Sequence, residues 1–124
     1  MILIGLYYLK RKANSRRVCK IINMTLTLKD IVTSISSFND EDPVFAKKID
    51  GKFFSNSEAK VLQLTEEESE LRTNEIAELK CPGFEYFLDA FIIKDMINDF
   101  DNSNNRVDLD ERIAIIIHYA EYDA

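Results

Sequence analysis

The sequence predicts an α+β domain in which a small antiparallel or mixed sheet of about three or four strands packs with three or four helices, in a single layer of helices on the sheet. Some segments repeat apolar residues at helical spacing, and others alternate them as strands do. The 124 residues include only 3 glycines and 2 prolines, which disfavours an all-β sandwich with many turns. The length corresponds to one domain.

Composition divides the chain near Met24. Residues 1–23 contain six basic side chains and no acidic one, whereas residues 24–124 contain ten basic and 22 acidic ones, a formal charge of −12. We therefore predict a basic N-terminal extension over 1–23 and a single acidic domain over 24–124. Such a negative field repels nucleic acid and attracts basic protein surfaces.

The extension opens with the apolar run MILIGLYYL, followed by KRKANSRR. Nine residues are too few to span a bilayer, which needs about 20. The charges follow the apolar run, whereas in a signal peptide they precede it. Three interpretations stay open: a segment that contacts a membrane surface through residues 1–20, an additional strand and loop, or upstream sequence before a true start at Met24.

The first predicted element of the domain is an amphipathic helix over residues 28–38. Thr27 and Asp30 have the spacing of a capping box, with Asp30 in the place of the usual Glu. Apolar residues then follow at helical spacing: Leu28, Ile31, Val32, Ile35 and Phe38. The acidic loop from Asn39 to Pro43 ends the helix, because the residue before a proline avoids helical geometry.

Strands are predicted next. Val44–Ile49 and Lys52–Ser55 flank Asp50-Gly51, a dipeptide that favours a two-residue hairpin turn. A second turn leads into a strand over Ala59–Leu64. Apolar residues occupy both faces of this strand, which predicts burial on both sides.

Two short helices and a fourth strand follow. Thr65 is placed to cap a helical turn that is rich in Glu, and Thr73 to cap a helix ended by Cys81-Pro82-Gly83. The apolar residues of 84–91 then predict a strand that leads into a helix near Ile92.

A polar turn over 101–105 precedes the last predicted helix. Asp108 is placed to cap that helix. Its apolar face consists of Leu109, Ile113, Ile116, Ile117 and Ala120.

Motifs for catalysis are not found. The chain has one histidine, His118, and no glycine-rich phosphate loop, nucleophile elbow or zinc-protease motif. Its two cysteines, Cys19 and Cys81, have no neighbouring cysteine or histidine, and we interpret them as reduced thiols of a cytoplasmic protein. We predict a protein that is not an enzyme and needs no cofactor.

A degenerate calcium loop is the strongest metal hypothesis. Positions 1, 3, 5 and 12 of an EF-hand loop correspond to Asp99, Asp101, Ser103 and Asp110. Asn104 replaces the usual glycine, Arg106 occupies a position that is usually apolar, and the last ligand is Asp rather than Glu. The alternative is a polar turn followed by a helix cap.

Two acidic clusters are candidate partner-binding residues. They consist of Asp40, Glu41, Asp42, Glu66, Glu67, Glu68 and Glu70. Such groups, set around aromatic anchors such as Phe54 or Tyr86, are suited to covering a basic groove that is built for phosphate. The alternative is that they are solvated loops and helix starts.

The order of these segments resembles a family of small acidic bacterial proteins. The resemblance is carried by Thr25–Phe38, Ala59–Leu64, the acidic tract and Lys80–Phe91, KCPGFEYFLDAF, with its following helix. It covers about residues 25–100 and is one of layout, similar to immunity proteins of contact-dependent inhibition and other polymorphic toxin systems. It implies a cytoplasmic inhibitor that binds a toxin domain, and it carries over no individual site residues.

The first hypothesis is therefore an immunity protein that binds a cognate toxin with a basic, nuclease-like surface. A small regulatory or adaptor domain that binds a cellular protein is the alternative, and a divalent-metal module using Asp99–Asp110 is the second alternative. A small hydrolase is the most distant, because no convincing base is present. The sequence does not specify an oligomeric state.

Overall fold

The computed structural model describes residues 26–103 and 107–123. The predicted extension 1–23, Cys19, Asn104 and Arg106 lie outside these residues. The strands are β1 (Leu26–Thr27), β2 (Pro43–Ala46), β3 (Glu58–Val61) and β4 (Glu85–Asp89). The helices are α1 (Leu28–Thr33), α2 (Glu66–Ser69), α3 (Thr73–Lys80), α4 (Ala90–Asn102) and α5 (Leu109–Tyr122), with a 3-10 turn at Ile35–Ser37. The predicted α+β class is confirmed.

The four strands form one antiparallel sheet in the order β1-β3-β2-β4. Val44 pairs with Leu88 and Phe45 pairs with Tyr86, so Phe87 is the extra residue of a β-bulge in β4. Neighbouring residues of a regular strand point to opposite faces. Because of the bulge, Phe87 and Leu88 instead both join the same core cluster.

The helices cover both faces of the sheet, which corrects the predicted single layer. On the first face α1, α4 and α5 pack around Val44, Ala46 and Leu88. On the second face α3 packs with Phe45 and Phe84. Alternation along β2 is the physical cause, because Val44 and Phe45 are both fully buried and point in opposite directions. The predicted strand at 59–64 is shorter than expected, since β3 ends at Val61. The prediction that this strand is buried on both sides is wrong, because Ala59 is buried whereas Lys60 on the other face is exposed.

Helix α1 has the predicted capping box but is shorter than predicted. The amide of Asp30 donates to Thr27 Oγ1 at 3.1 Å, and the amide of Thr27 donates to Asp30 Oδ2 at 3.0 Å. The α-helix nevertheless ends at Thr33. The hydroxyls of Thr33 and Ser34 donate to the carbonyls of Lys29 and Asp30, and such back-bonding competes with regular helix.

The predicted hairpin turn is present, whereas the strand after it is not. Asp50 and Gly51 both have positive φ, 53° and 81°, and Ile49 and Lys52 exchange two backbone hydrogen bonds of 2.7 and 3.1 Å. The strand predicted at 52–55 is wrong. The amide of Phe53 donates to Glu121, and the carbonyl of Ser55 accepts from Lys29, so these backbone groups bond to helices rather than to a strand.

The later boundaries differ from the prediction by one or two residues. Arg72 occupies the cap position of α3, where Thr73 was expected. Helix α4 follows β4 without a loop and continues to Asn102, into the predicted turn. Asp108 caps α5 as predicted, since its Oδ1 accepts from the amide of Glu111 at 2.8 Å. Over the two described ranges, no helix combines the length and apolarity needed to cross a membrane.

Candidate partner-binding surface

Carboxylates outnumber cationic side chains across the described residues. These residues include 22 acidic and nine basic side chains. Six ion pairs with N–O distances of 2.7–3.5 Å use six of the bases and six of the acids. The other 16 carboxylates have no cationic partner within 4 Å in the part of the chain that the structure describes.

The first acidic cluster is largely occupied by contacts within the fold. Lys94 of α4 donates to Asp40 Oδ1 at 2.7 Å and to the carbonyl of Phe38 at 2.5 Å. Glu41 is exposed. Asp42 is only 5% exposed, and its Oδ2 accepts from the amide of Asn39 at 3.3 Å. Asp42 is therefore corrected from a partner contact to a buried residue, because no partner can reach its carboxylate.

Burial raises the pKa of Asp42 to about 6, although the hydrogen bond from Asn39 opposes the shift. The folded protein therefore binds a proton more tightly than the unfolded chain at this position. Stability from Asp42 is fully present below the ordinary pKa of 3.8 and is lost as the pH rises through 6.

We expect Asp42→Asn to raise the free energy of unfolding at pH 7 by about 1–3 kcal/mol, because it removes a buried charge and keeps an acceptor for Asn39. The gain should vanish near pH 4, where wild type is protonated. Urea denaturation at both pH values measures it. Asp95→Asn, at an exposed position of α4, is the control and should show no gain. An Asp42→Asn gain of the same size at pH 4 would contradict the titration.

The second cluster is built on α2. Thr65 and Glu68 form a capping box, and Glu68 also accepts from Lys80 of α3 at 3.2 Å. The Thr65 amide and the Lys80 ammonium lower the pKa of Glu68. Glu68 is therefore committed to joining α2 to the end of α3. Glu66, Glu67 and Glu70 are exposed, and their carboxylates form no hydrogen bond or ion pair with another described residue.

Helix α3 extends this surface with residues that the sequence analysis did not single out. Glu75, Glu78 and Leu79 share its outer face at spacings of three and four residues. Leu79 is 64% exposed, whereas Ile76 and Ala77 on the inner face are buried. The sequence signal that identifies these residues is their helical spacing, which places Glu75, Glu78 and Leu79 on the side of the helix opposite Ile76.

We call this surface the acidic ridge. It consists of Glu66, Glu67, Glu70, Glu75 and Glu78 with the exposed Leu71 and Leu79. The two acidic clusters do not form one surface, because Asp40 is tied to α4 on the first face and Glu68 to α3 on the second. Of the proposed aromatic anchors, Tyr86 packs edge-on against Phe45 within the second face and Phe54 is exposed elsewhere.

The proposed calcium ligands lie on two helices. Asp99 and Asp101 belong to α4 rather than to a loop, and Ser103 is its C-cap. Asp101 binds Arg112 at 2.8 Å, and Asp110 binds Lys29 at 3.3 Å. Within residues 26–103 and 107–123, no three or more His, Cys, Asp or Glu side chains are grouped so that they could hold a metal ion.

His118 and Cys81 show no catalytic arrangement in the described structure. His118 is exposed on α5 and contacts the Tyr122 ring at a centroid distance of 4.7 Å. It forms no hydrogen bond with another described residue, whereas a base that activates a nucleophile needs one. Cys81 is a free thiol whose pKa is raised by burial, which disfavours the reactive thiolate.

Comparison with known proteins identifies no relative. The chain matches no protein-family model, no curated protein and no solved structure. The chemistry of the acidic ridge is therefore the basis on which a function is proposed.

Proposed function

We propose that this chain is a cytoplasmic immunity protein that binds a cognate toxin domain and neutralises it by covering a basic surface. The observation that carries the proposal is the acidic ridge, whose five carboxylates have no cationic partner among the described residues and which also exposes Leu71 and Leu79. The layout resemblance to immunity proteins supports a toxin as the partner. A regulatory or adaptor domain would use the same ridge on a cellular protein.

The ridge has the composition of a steered interface. Glu66, Glu67 and Glu70 need not break internal bonds to meet a partner, because their side chains have no partners within the described residues. Their field raises the rate of encounter with a basic surface, by about 10- to 1,000-fold in electrostatically steered complexes. Leu71 and Leu79 supply apolar contact area, which the charged side chains do not provide.

A nuclease-like toxin fits this chemistry. An active site that binds a phosphate backbone is lined by Lys and Arg, and carboxylates are their natural complement. An acidic surface that occupies such a site excludes the nucleic acid by both charge and volume. The proposed inhibitor therefore needs no catalytic group of its own.

The test compares two triple variants of the full chain that change net charge equally. The ridge variant carries Glu67→Lys, Glu70→Lys and Glu78→Lys, which spares the brace formed by Glu68. The control variant carries Asp95→Lys, Asp99→Lys and Asp123→Lys at exposed positions of α4 and the end of α5. Each immobilised protein is used to capture partners from the source organism. The captured protein is then purified, and its association rate is measured across salt concentrations.

We expect wild type and the control variant to capture the same basic protein, and the ridge variant to associate with it at least about tenfold more slowly and with less salt dependence. Expression of that partner alone should stop growth of a host, and co-expression of wild type should restore it. Equal loss in both triple variants would exclude the ridge as the contact. A captured partner that is harmless to the host would favour the adaptor alternative.

A further inference from the structure

A groove runs along α5 on the first face of the sheet. Its volume is about 390 Å³, and it lies between α5 and the segment Phe53–Ser55. The apolar lining includes Phe53, Ile113 and Ile117. Phe54 forms one wall and is 43% exposed. Phe53 and Ile113 are buried, so the apolar surface that the groove exposes comes mainly from Phe54, with the half-buried Ile117 beside it.

The segment that forms one wall of the groove is fixed by contacts with residues that are distant in sequence. The amide of Phe53 donates to Glu121 Oε2 at 2.8 Å, and the carbonyl of Ser55 accepts from the amide of Lys29 at 2.9 Å. The Phe53 ring packs edge-on against Phe87 with a centroid distance of 5.0 Å. These bonds fix the segment 53–55 relative to α5, so the groove is preformed.

Besides the imidazole of His118, the titratable groups that line the groove are two carboxylates, Asp110 and Glu121. They are eleven residues apart on α5, which corresponds to about 16 Å along the helix axis. Asp110 already binds one ammonium group, that of Lys29, in an exposed pair at 3.3 Å of the kind that exchanges at little cost. Glu121 uses one oxygen for Phe53, and its other oxygen has no partner within the described chain.

We propose that this groove binds a peptide segment of a partner protein in which apolar side chains lie between two basic side chains. Spacing favours a peptide over a small ligand, because the two acidic ends are about three helical turns apart. An extended segment of five to seven residues spans that length at about 3.3 Å per residue. The groove lies on the opposite face of the sheet from the acidic ridge, so this proposal does not depend on the proposed function.

The probe is the peptide Lys-Thr-Leu-Thr-Leu-Thr-Lys with blocked ends, which places its lysines and leucines on one face when extended. The comparison peptide has glutamate at both lysine positions. Binding to the full chain is followed by NMR shifts of the backbone amides and by calorimetry. Ala114→Arg obstructs the groove at an exposed position of α5. Ile115→Arg is the matched control, since Ile115 is exposed on the same helix and does not line the groove.

We expect saturable binding of the lysine peptide with shifts at Ser55, Ala114 and Ile117, and none of the glutamate peptide. Ala114→Arg should weaken binding at least tenfold, and Ile115→Arg should leave it unchanged. Glu121→Gln, which keeps an acceptor for Phe53, should weaken binding several-fold. Equal binding of both peptides, equal effects of the two arginine variants, or no saturation at millimolar peptide would each overturn the proposal.

Discussion

Phe87→Ala is expected to lower the free energy of unfolding by about 3–5 kcal/mol, the range for removing a large aromatic side chain from a core. Phe87 is 1% exposed and packs edge-on against Phe53. The β-bulge directs Phe87 toward the first face beside Leu88, where α4 and α5 cover it. Truncation leaves a cavity that this crowded face cannot fill, and a small domain has about 5–15 kcal/mol of stability in total.

Phe91→Ala is the matched control for that measurement. Phe91 lies four residues later, in the first turn of α4, and is 45% exposed. Its truncation removes the same aromatic side chain from an exposed position and should lower the free energy of unfolding by less than about 1 kcal/mol. Urea denaturation of both variants, followed by circular dichroism, gives the comparison. Similar losses for Phe87→Ala and Phe91→Ala would contradict the bulge and the orientation derived from it.

Ile76→Ala is expected to cost about 2–3 kcal/mol, because Ile76 is the aliphatic anchor of α3 in the second-face cluster. Its neighbours there include Phe45, Phe84 and Cys81, which are all buried. The variant tests whether the second face belongs to the folded unit. If it does, a loss of contacts under α3 destabilises the whole sheet through the central strand β2, which carries Phe45.

Leu79→Ala on the same helix separates stability from binding. Leu79 faces outward on the acidic ridge, so its truncation should leave the unfolding midpoint unchanged while it weakens capture of the proposed partner. Ile76→Ala should lower the unfolding midpoint and leave capture of the proposed partner unchanged at temperatures where the variant remains folded. If Leu79→Ala destabilises the fold as much as Ile76→Ala does, then Leu79 does not lie on the outer face of α3.

The local elements were predictable because the interactions that specify them connect residues close in the chain. The capping boxes at Thr27 and Thr65 and the Asp108 cap join residues three positions apart. The Asp50-Gly51 turn depends on the positive φ that these two residue types tolerate. The acidic character of Glu66, Glu67 and Glu70 likewise follows from composition, and the exposure of Glu66 and Glu67 agrees with their position at a helix start.

The sequence by itself therefore determined the class, the caps at Thr27, Thr65 and Asp108, the turn and the acidic surplus of this protein. Only the tertiary structure decided that Asp42 is buried while Glu41 is exposed, that α3 covers the second face, and that Phe53 bonds to Glu121 instead of to a strand. The physical reason is that these features depend on contacts between residues distant in sequence. The hydrogen bond between Phe53 and Glu121, for example, joins residues 68 positions apart. Periodicity predicts which residues share a face of an element, but which element covers that face depends on how distant segments pack.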